Sequence, residues 1–563
     1  MKHSTWFRIA FLMLAAVGAL VMSQPALADP GTIAPTVIHE NAKLTASDSA
    51  TEDWFGWSVA LSGDTVVVGT PLDTHAGGFR AGSLYVFVRS GSTWSEQAKL
   101  TWSDTAVNDS FGISVALSDD TIVVGAIDDN AGGTNAGSAY VFLRSGTSWS
   151  EQAKLTASDA APFGGFGWSV ALSGDTAVVG RVGNDNAAYV FVRSGSAWSE
   201  QAKLTASDAA AGFGRSVALS GDTVVVGAEY DDHAGTVAGS AYVFLRSGTS
   251  WSEQAKLTAS DAAAGFGRSV ALSGDTVVVG AEYDDHAGTV AGLAYVFLRS
   301  GTSWSEQAKL TASDAAAFDV FGISVALSDD TIVVGAMGDN AGGTNAGSAY
   351  VFLRSGTSWS EQVKLTASDA ASFDFFGRSV ALSGDTTVVG AFNDDHAGGF
   401  HNGSAYVFVR SGTTWSEQVK LTASDAAGNF INGDVFGASV ALSSDAALVG
   451  SPLDDHAGGS NAGSAYVFDF EPRSPIALLT NLFDTLVDLN IQHGIENSLG
   501  AKLNAAIRAL DDVNENNNVA AIETLEAFIN AVQAQRGSHI SEPDADLLIV
   551  SAREIIDLLL AGG

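Results

Sequence analysis

Between roughly residues 40 and 470 the chain alternates short apolar runs with acidic, glycine-rich stretches, and the alternation recurs. In the unit from Phe213 to Ala264, Ser216-Val217-Ala218-Leu219 predicts a short strand and Ser220-Gly221-Asp222 a tight turn. Thr223 to Val226 is a β-branched run without polar alternation, as in a strand covered on both faces. Gly227 to Gly239 is a loop rich in Gly and Asp, Ser240 to Leu245 a third strand, and Arg246-Ser247-Gly248-Thr249 a turn into a fourth. There Trp251, Glu253, Ala255 and Leu257 alternate with Ser252, Gln254, Lys256 and Thr258, the pattern of a half-exposed sheet edge. The same alternation lets Arg246 and Glu253 pair across that turn. Four antiparallel strands, buried in the middle and wet at the last, predict one blade of a β-propeller.

The unit occurs eight times, with Phe-Gly pairs beginning at Phe55, Phe111, Phe166, Phe213, Phe266, Phe321, Phe376 and Phe436, spaced by 47 to 60 residues. The last copy stops at Ala465-Tyr466-Val467-Phe468 without a fourth strand, whereas an orphan fourth strand, Val37 to Ser47, precedes the first. The orphan therefore completes the last blade and removes the open edge. The expected fold is mainly β: an eight-bladed propeller over 37–470, with seven blades plus a displaced copy as the alternative. Copies four and five differ at Ser240 against Leu293, as after a late duplication.

Beyond Glu471-Pro472-Arg473 the period becomes helical. Four amphipathic helices are expected over 474–563. The first is opened by Ser474-Pro475 and stopped by Gly494; the second carries Leu499, Leu503, Ile507 and Leu510. The third carries Ile522, Leu525, Phe528, Ile529 and Val532, and the fourth Leu548, Ala552, Ile555 and Leu559. At the other end, Lys2, His3 and Arg8 precede an apolar run from Ile9 to Met22 and the small-residue site Ala26-Leu27-Ala28, which reads as a signal peptide over 1–28. The expected location is periplasmic, cell-surface or secreted, with no transmembrane segment in the mature chain. The chain has no cysteine, so its stability must come from core burial, ring closure or bound ions.

A formal charge of −36 makes nucleic acid a poor partner and cations or basic surfaces better ones. The long loops, all on one face of the disc, collect unpaired acid: Asp128-Asp129-Asn130, Asp231-Asp232-His233, Asp284-Asp285-His286, Asp394-Asp395-His396 and Asp454-Asp455-His456. Carboxylates beside Gly-rich backbone suit Ca²⁺, which takes six to eight oxygens. Asp48, Asp104, Asp208, Asp261, Asp314, Asp369 and Asp425, together with Asp53, Asp109, Asp319, Asp374 and Asp434 before the Phe-Gly pairs, lie one loop away as further ligands. The same residues also suit turn capping. The loop histidines are explained by repetition, since neighbours on an extended loop rarely converge on one ion.

Copy three breaks the symmetry. Its loop lacks six residues and the acidic pair, and reads Arg181-Val182-Gly183-Asn184-Asp185-Asn186, so a notch with Trp168, Arg181, Asn184 and Asp185 is a candidate ligand groove. Seven tryptophans of the Trp-Ser-Glu-Gln strands suit packing between blades, whereas Trp54, Trp57, Trp102 and Trp168 occur once each near the long loops and are better placed for a glycan. No Gly-x-Ser-x-Gly elbow or cysteine nucleophile is present, and carboxylates that recur in every blade are the opposite of one tuned acid–base pair.

The order Phe-Gly, Val-Gly-Ala (Ser451-Pro452 in the last copy) and Ala-Tyr-Val-Phe resembles the FG-GAP repeat of integrin α-chain heads and of bacterial exported proteins. The resemblance implies a propeller with a binding or adhesion role, and calcium. The Asp-x-Asp-x-Asp-Gly loop that carries calcium in integrins is replaced here by Ser220-Gly221-Asp222-Thr223 and its counterparts. Lys502 to Ile555, with Ala527-Phe528-Ile529-Asn530-Ala531-Val532, resembles the FIMAH helical module. The expected function is an exported, non-catalytic binding or adhesion platform with Ca²⁺ as a candidate helper and an extracellular or surface protein or glycan as partner. A lectin-like propeller and, after it, an extracellular hydrolase are the alternatives.

Overall fold

A computed structural model of the chain describes residues 40–561 except 92, 209, 233–237, 262, 286–287, 397–398, 412, 427–432, 471–478, 480–481, 484–485, 487–488, 490, 492 and 512–517. The expected signal peptide and the loop histidines His233 and His286 lie outside the described residues.

The β region forms eight four-stranded antiparallel sheets, as expected, and the seven-bladed alternative falls. Blade 4 is built from Phe213–Ser220, Thr223–Ala228, Ser240–Ser247 and Ser250–Leu257, running outward from the centre of the ring. Its second strand is buried along its whole length because it carries sheet on both edges and a neighbouring blade on each face. Ala42–Leu44 adds antiparallel to Ser464–Asp469 as the outer strand of blade 8, pairing Lys43 with Tyr466. Chain start and chain end are thereby sealed in one sheet.

The outer strand departs from simple alternation. A bulge between Val243 and Phe244 sets Glu253 opposite Phe244 and Arg246 opposite Trp251. Glu253 consequently turns away from Arg246 and accepts hydrogen bonds from the N–H (3.0 Å) and hydroxyl (2.9 Å) of Ser207 in the preceding linker. Arg246 pairs instead with Asp222 of the first turn, at 2.6 Å, so the expected Arg246–Glu253 pair does not form. Glu40 repeats the Glu253 contact on Ser424 and carries the pattern across the closure. Trp251 packs on the core between blades 3 and 4 and donates from Nε1 to Gln201 at 2.7 Å, which is the structural role expected for these tryptophans.

The blades touch most closely along their innermost strands. The serine of each Phe-Gly-x-Ser donates its hydroxyl to the carbonyl of the next blade's Phe-Gly glycine, from Ser58 to Gly112 (2.8 Å) round to Ser439 to Gly56 (2.8 Å). The Val-Gly glycine abuts the same carbonyl. A Cβ built on Gly335 would stand 1.9 Å from the oxygen of Gly377, and one on Gly450 would stand 2.1 Å from that of Gly56. Two signature residues therefore set the distance between blades.

The C-terminal region contains helices α1 (His493–Asp511), α2 (Asn518–Gln535) and α3 (Glu542–Ala561). Leu503, Phe528, Val532, Leu548 and Ala552 form their shared core, joined by buried Leu479, Leu482 and Leu486. Three of the four expected helices are thus described, and most of the first falls outside the described residues. Gly494 sits in the first turn of α1 rather than ending a helix; it has no neighbour within 4 Å, and the first N–H groups of a helix need no intrahelical partner. Among the described residues no helix is long and apolar enough to cross a membrane.

Gly335→Ala is expected to cost more than about 3 kcal/mol in denaturant melts, because its Cβ meets rigid backbone. Gly356→Ala, whose turn is open to solvent, should cost only about 1 kcal/mol for its left-handed backbone.

Candidate functional site: the long-loop face

Antiparallel blades put the short turns on one rim and the long loops on the other. On the long-loop rim the long loops between second and third strands are tied to the linker that enters the next blade: the N–H of Phe163 donates to Thr134 at 2.7 Å and that of Phe318 to Thr289 at 2.8 Å.

Here the paired aspartates of the sequence part company. Asp231, Asp284, Asp394 and Asp454 are buried, whereas the following Asp232, Asp285, Asp395 and Asp455 are exposed. The exposed members cap their own loops; Asp455 accepts from the N–H of Asn461 at 2.7 Å and Asp285 from that of Val290 at 2.6 Å. In blade 2 the counterpart of Asp231 is Asp129, and Asp128 instead binds Ser110 (3.0 Å) and Asn135 (2.7 Å). Consecutive side chains on extended backbone diverge, so the two carboxylates of a pair do not meet.

What the buried aspartates of blades 2, 4, 6, 7 and 8 meet is a lysine. Lys364 Nζ lies 2.7 Å from Asp339 and 2.6 Å from Asp314, and the Tyr350 hydroxyl bonds both carboxylates. Lys420 joins Asp394 to Asp369 at 2.6 Å each, and Lys43 of the closing strand joins Asp454 (2.7 Å) to Asp425 (2.5 Å). Burial alone would lower the Lys364 ammonium, but the hydrogen bonds and charges of Asp314 and Asp339 outweigh it and raise its pKa. Asp314 and Asp369 are lowered, because their bonds to lysine and tyrosine outweigh their burial. An ε-ammonium thus stands between the carboxylates that the sequence offers to a cation. Among the described residues no group of three or more His, Cys, Asp or Glu is arranged to hold a metal ion. His456 folds its own loop, with Nδ1 accepting from Gly458 (3.0 Å) and Nε2 3.0 Å from the Gly463 carbonyl.

The short loop of blade 3 uses another device. Arg181 is buried and does not flank an open notch; its Nη1 donates to Tyr189 at 2.9 Å and approaches Asp159 at 3.4 Å, filling the space of the missing aspartate. Asp185 pairs with Lys203 at 3.3 Å, and exposed Asn184 donates to the Pro162 carbonyl at 3.3 Å. Trp168 lies under the guanidinium of Arg215, 5.2 Å from its ring centre. Trp102 is buried and stacked on Phe111 at 4.4 Å, which removes it as a sugar platform, and Trp54 stacks on half-exposed Trp57 at 5.3 Å.

Sequence reasoning missed the exposed aromatics of this face. Phe79, Phe163, Phe318, Phe373, Phe400, Tyr230 and Tyr283 are 40–59% exposed. Phe163, Phe318 and Phe373 also hold left-handed backbone, with φ of 60°, 70° and 73°. The equivalent positions are Glu52 and Asn108, each fixed by the same N–H bond to the neighbouring loop. Asn is the cheap residue for that conformation and Phe an expensive one. The available signal was a large apolar residue at a turn position where sister copies carry Glu or Asn.

The FG-GAP repeat family model matches residues 38–87, 94–142, 149–191, 198–244, 251–297, 304–352, 359–408 and 415–468. The chain belongs to the FG-GAP repeat family. Each matched FG-GAP unit starts in an outer strand and ends in the third strand of the next blade, so the sequence repeat is offset from the blade by one strand. No curated protein matches the chain significantly. Among solved structures, Saccharomyces cerevisiae Sqt1 is 11% identical with a TM-score of 0.48, covering 77% of this chain and 100% of that one. Chaetomium thermophilum Sqt1 is 14% identical with a TM-score of 0.46, covering 75% and 98%. Similarity at that level carries nothing further to these FG-GAP blades.

Beneath the loops lies a second set of carboxyls. Asp53, Asp109, Asp319 and Asp374 are buried, each accepting one backbone N–H, from Ala50, Ala106, Ala316 and Ala371. Burial, partly offset by that bond and reinforced by the charge of Asp73, Asp129 or Asp394, pushes Asp53, Asp109 and Asp374 up to about 7; Asp339 helps push Asp319 to about 6. These carboxyls bind protons in the folded state that the unfolded chain, titrating near 3.8, has released. Their contribution to stability is complete below about pH 4 and is lost as pH rises through 6–7. The lysine-bound Asp314 and Asp369 act oppositely, stabilising above 3.8 and failing as pH falls through their lowered values. The melting temperature is therefore expected to peak near pH 4 and to decline until about pH 7. Asp109→Asn and Asp319→Asn should flatten that alkaline limb in pH-resolved melts.

Proposed function

We propose that the protein is an exported, non-catalytic binding or adhesion platform that recognises an extracellular or surface partner with the long-loop face of its propeller. The observation that carries this reading is the placement of exposed aromatics. In the described propeller, the large side chains left in solvent fall in the long loops, apart from Trp57 at the start of an inner strand beside them. An apolar patch of this kind on a rigid scaffold marks an interaction surface. Three of its members hold a backbone conformation costing about 1–2 kcal/mol each, which stability alone does not favour.

Absence of catalysis is supported by the sharing of carboxylates with lysine and tyrosine in blade after blade, which leaves no distinctive acid–base pair. Export is supported by the leader-like residues 1–28. The FIMAH-like C-terminal helices form a module with its own core, which suits a second docking element. Direct cation assistance is unnecessary on this reading, because lysine already bridges the carboxylates.

Replacing Phe163, Phe318 and Phe373 together by Asn should raise stability by about 1 kcal/mol per site while abolishing binding on arrays of extracellular proteins and glycans. Unchanged binding would overturn the platform reading. Calcium added to chelator-treated protein should produce neither heat nor a melting shift, and Lys364→Ala, which frees Asp314 and Asp339, should acquire one.

A further inference from the structure

A Phe-Gly-x-Ser (Phe-Gly-Ala-Ser in blade 8) opens or immediately precedes every inner strand, and the x residues surround the long-loop mouth of the central channel. Blades 4, 5 and 7 place Arg215, Arg268 and Arg378 there, and blades 1 and 3 place Trp57 and Trp168. Arg215 Nε lies 3.0 Å from Glu229; Arg268 reaches the same carboxylate at 3.4 Å and Glu282 at 3.2 Å. Both glutamates are buried and immobilised by these contacts. The position that supplies them is Met337 in blade 6 and Phe392 in blade 7. Arg378 therefore finds no acid on its own or the preceding blade, stays exposed, and forms no ion pair among the described residues. Desolvation and then the charge of Arg268 two blades away lower its pKa, while the charge of Glu282 raises it. Three guanidiniums thus face two carboxylates, a local excess of positive charge on a chain of −36.

The surroundings add a second chemistry. Phe375, which follows the buried Asp374 and precedes the Phe-Gly pair of blade 7, stacks on Phe392 at 5.5 Å. Half-exposed Trp57 and exposed Tyr230 and Tyr283 border the same mouth. The remaining polar groups, Glu229, Glu282 and loop carboxylates, are hydrogen-bond acceptors.

We propose that this mouth binds an acidic sugar residue, with the open fork of Arg378 holding the carboxylate and the flanking aromatic rings receiving the pyranose face. A guanidinium pairs with a carboxylate through two parallel hydrogen bonds, and aromatic faces take up the C–H side of a sugar ring. Sugar hydroxyls supply the donors that the acceptor-rich rim requires, whereas an acidic peptide side chain supplies none. The strongly negative surface further selects a ligand with one carboxylate among neutral groups over a polyanion. The assignment rests on the long-loop face being the binding surface.

Calorimetry of the full chain with methyl β-D-glucuronide, methyl β-D-glucoside and tetraglutamate tests it. The glucuronide should bind at least about tenfold more tightly than the glucoside, and tetraglutamate should not bind. Arg378→Gln should abolish the preference with an unchanged melting temperature, and Arg378→Lys should restore part of it. Equal affinity for the two glycosides, no binding of the glucuronide, a matching response to tetraglutamate, or an unaffected Arg378→Gln would each overturn the assignment. Phe163→Asn with Phe318→Asn leaves the mouth intact. If that pair abolishes array binding while the glucuronide fails to bind wild type, only the axial site falls; if array binding also survives the pair, the platform reading falls with it.

Discussion

The structure depends on how closely two inner strands approach. The Val-Gly glycine of one blade lies against the Phe-Gly carbonyl of the next, and the intervening serine hydroxyl bonds that same oxygen, so neither a Cβ nor a water fits between them. A contact that short is permitted by one residue type and repeated round a closed ring, so a small change in its length would be summed eight times and the ring would fail to close. Closure in turn requires that the last sheet take its fourth strand from the chain start, which is why the FG-GAP unit and the blade are out of phase by one strand. The phase shift has a thermodynamic consequence. Lys43 and Glu40 of the closing strand make the same inter-loop contacts as their counterparts elsewhere, so the seam is held by the bonds that hold every other junction.

With the scaffold fixed at its centre, electrostatics is settled blade by blade at the rim. A carboxylate pair at the entry to each blade would repel itself if left bare. A lysine directly opposite the tyrosine of the third strand reaches both acids at once, and the tyrosine hydroxyl completes the arrangement. Removing one partner would leave a buried charge, a loss of about 3–5 kcal/mol, whereas an exposed pair would be worth little. Blade 3 shows that the requirement is for a partner to tyrosine and not for aspartate itself: when the loop shortens, a buried arginine takes the place.

Much of this was legible in the sequence, and the reasons differ by feature. Strand order, blade count and closure follow from period and from the orphan strand at Val37 to Ser47, because each repeat is written out in full. The bulge at Val243/Phe244 was not legible, and with it the partner of Glu253 was misassigned, since a single inserted residue reverses side-chain direction without changing composition. Adjacency of Asp231 and Asp232 in sequence suggests a cluster, but the backbone sends one inward and one outward. Their lysine partner sits about 25 residues downstream in a strand whose alternation gives no hint of its target. Trp102 and Arg181 illustrate the same limit, since loop membership alone did not distinguish an exposed side chain from one folded under its neighbour.

A ring of eight nearly identical units cannot by itself prefer one ligand position, so selectivity must reside where the copies differ. The differences are not spread evenly. Strand cores, the Gly–Ser contacts and the lysine–aspartate bridges are almost invariant from blade to blade, whereas the turn residue at Glu52, Asn108, Phe163, Phe318 and Phe373 and the channel residue at Trp57, Trp168, Arg215, Arg268 and Arg378 vary in size, charge and polarity. Variation tolerated by a neutral surface would favour Asn or Gly at left-handed backbone and would pair every arginine placed near a buried glutamate. Three Phe residues in that conformation and one arginine with no ion pair among the described residues depart from both expectations in the direction of recognition. The repeated residues therefore build the disc, and the unrepeated ones give its long-loop face a particular chemistry.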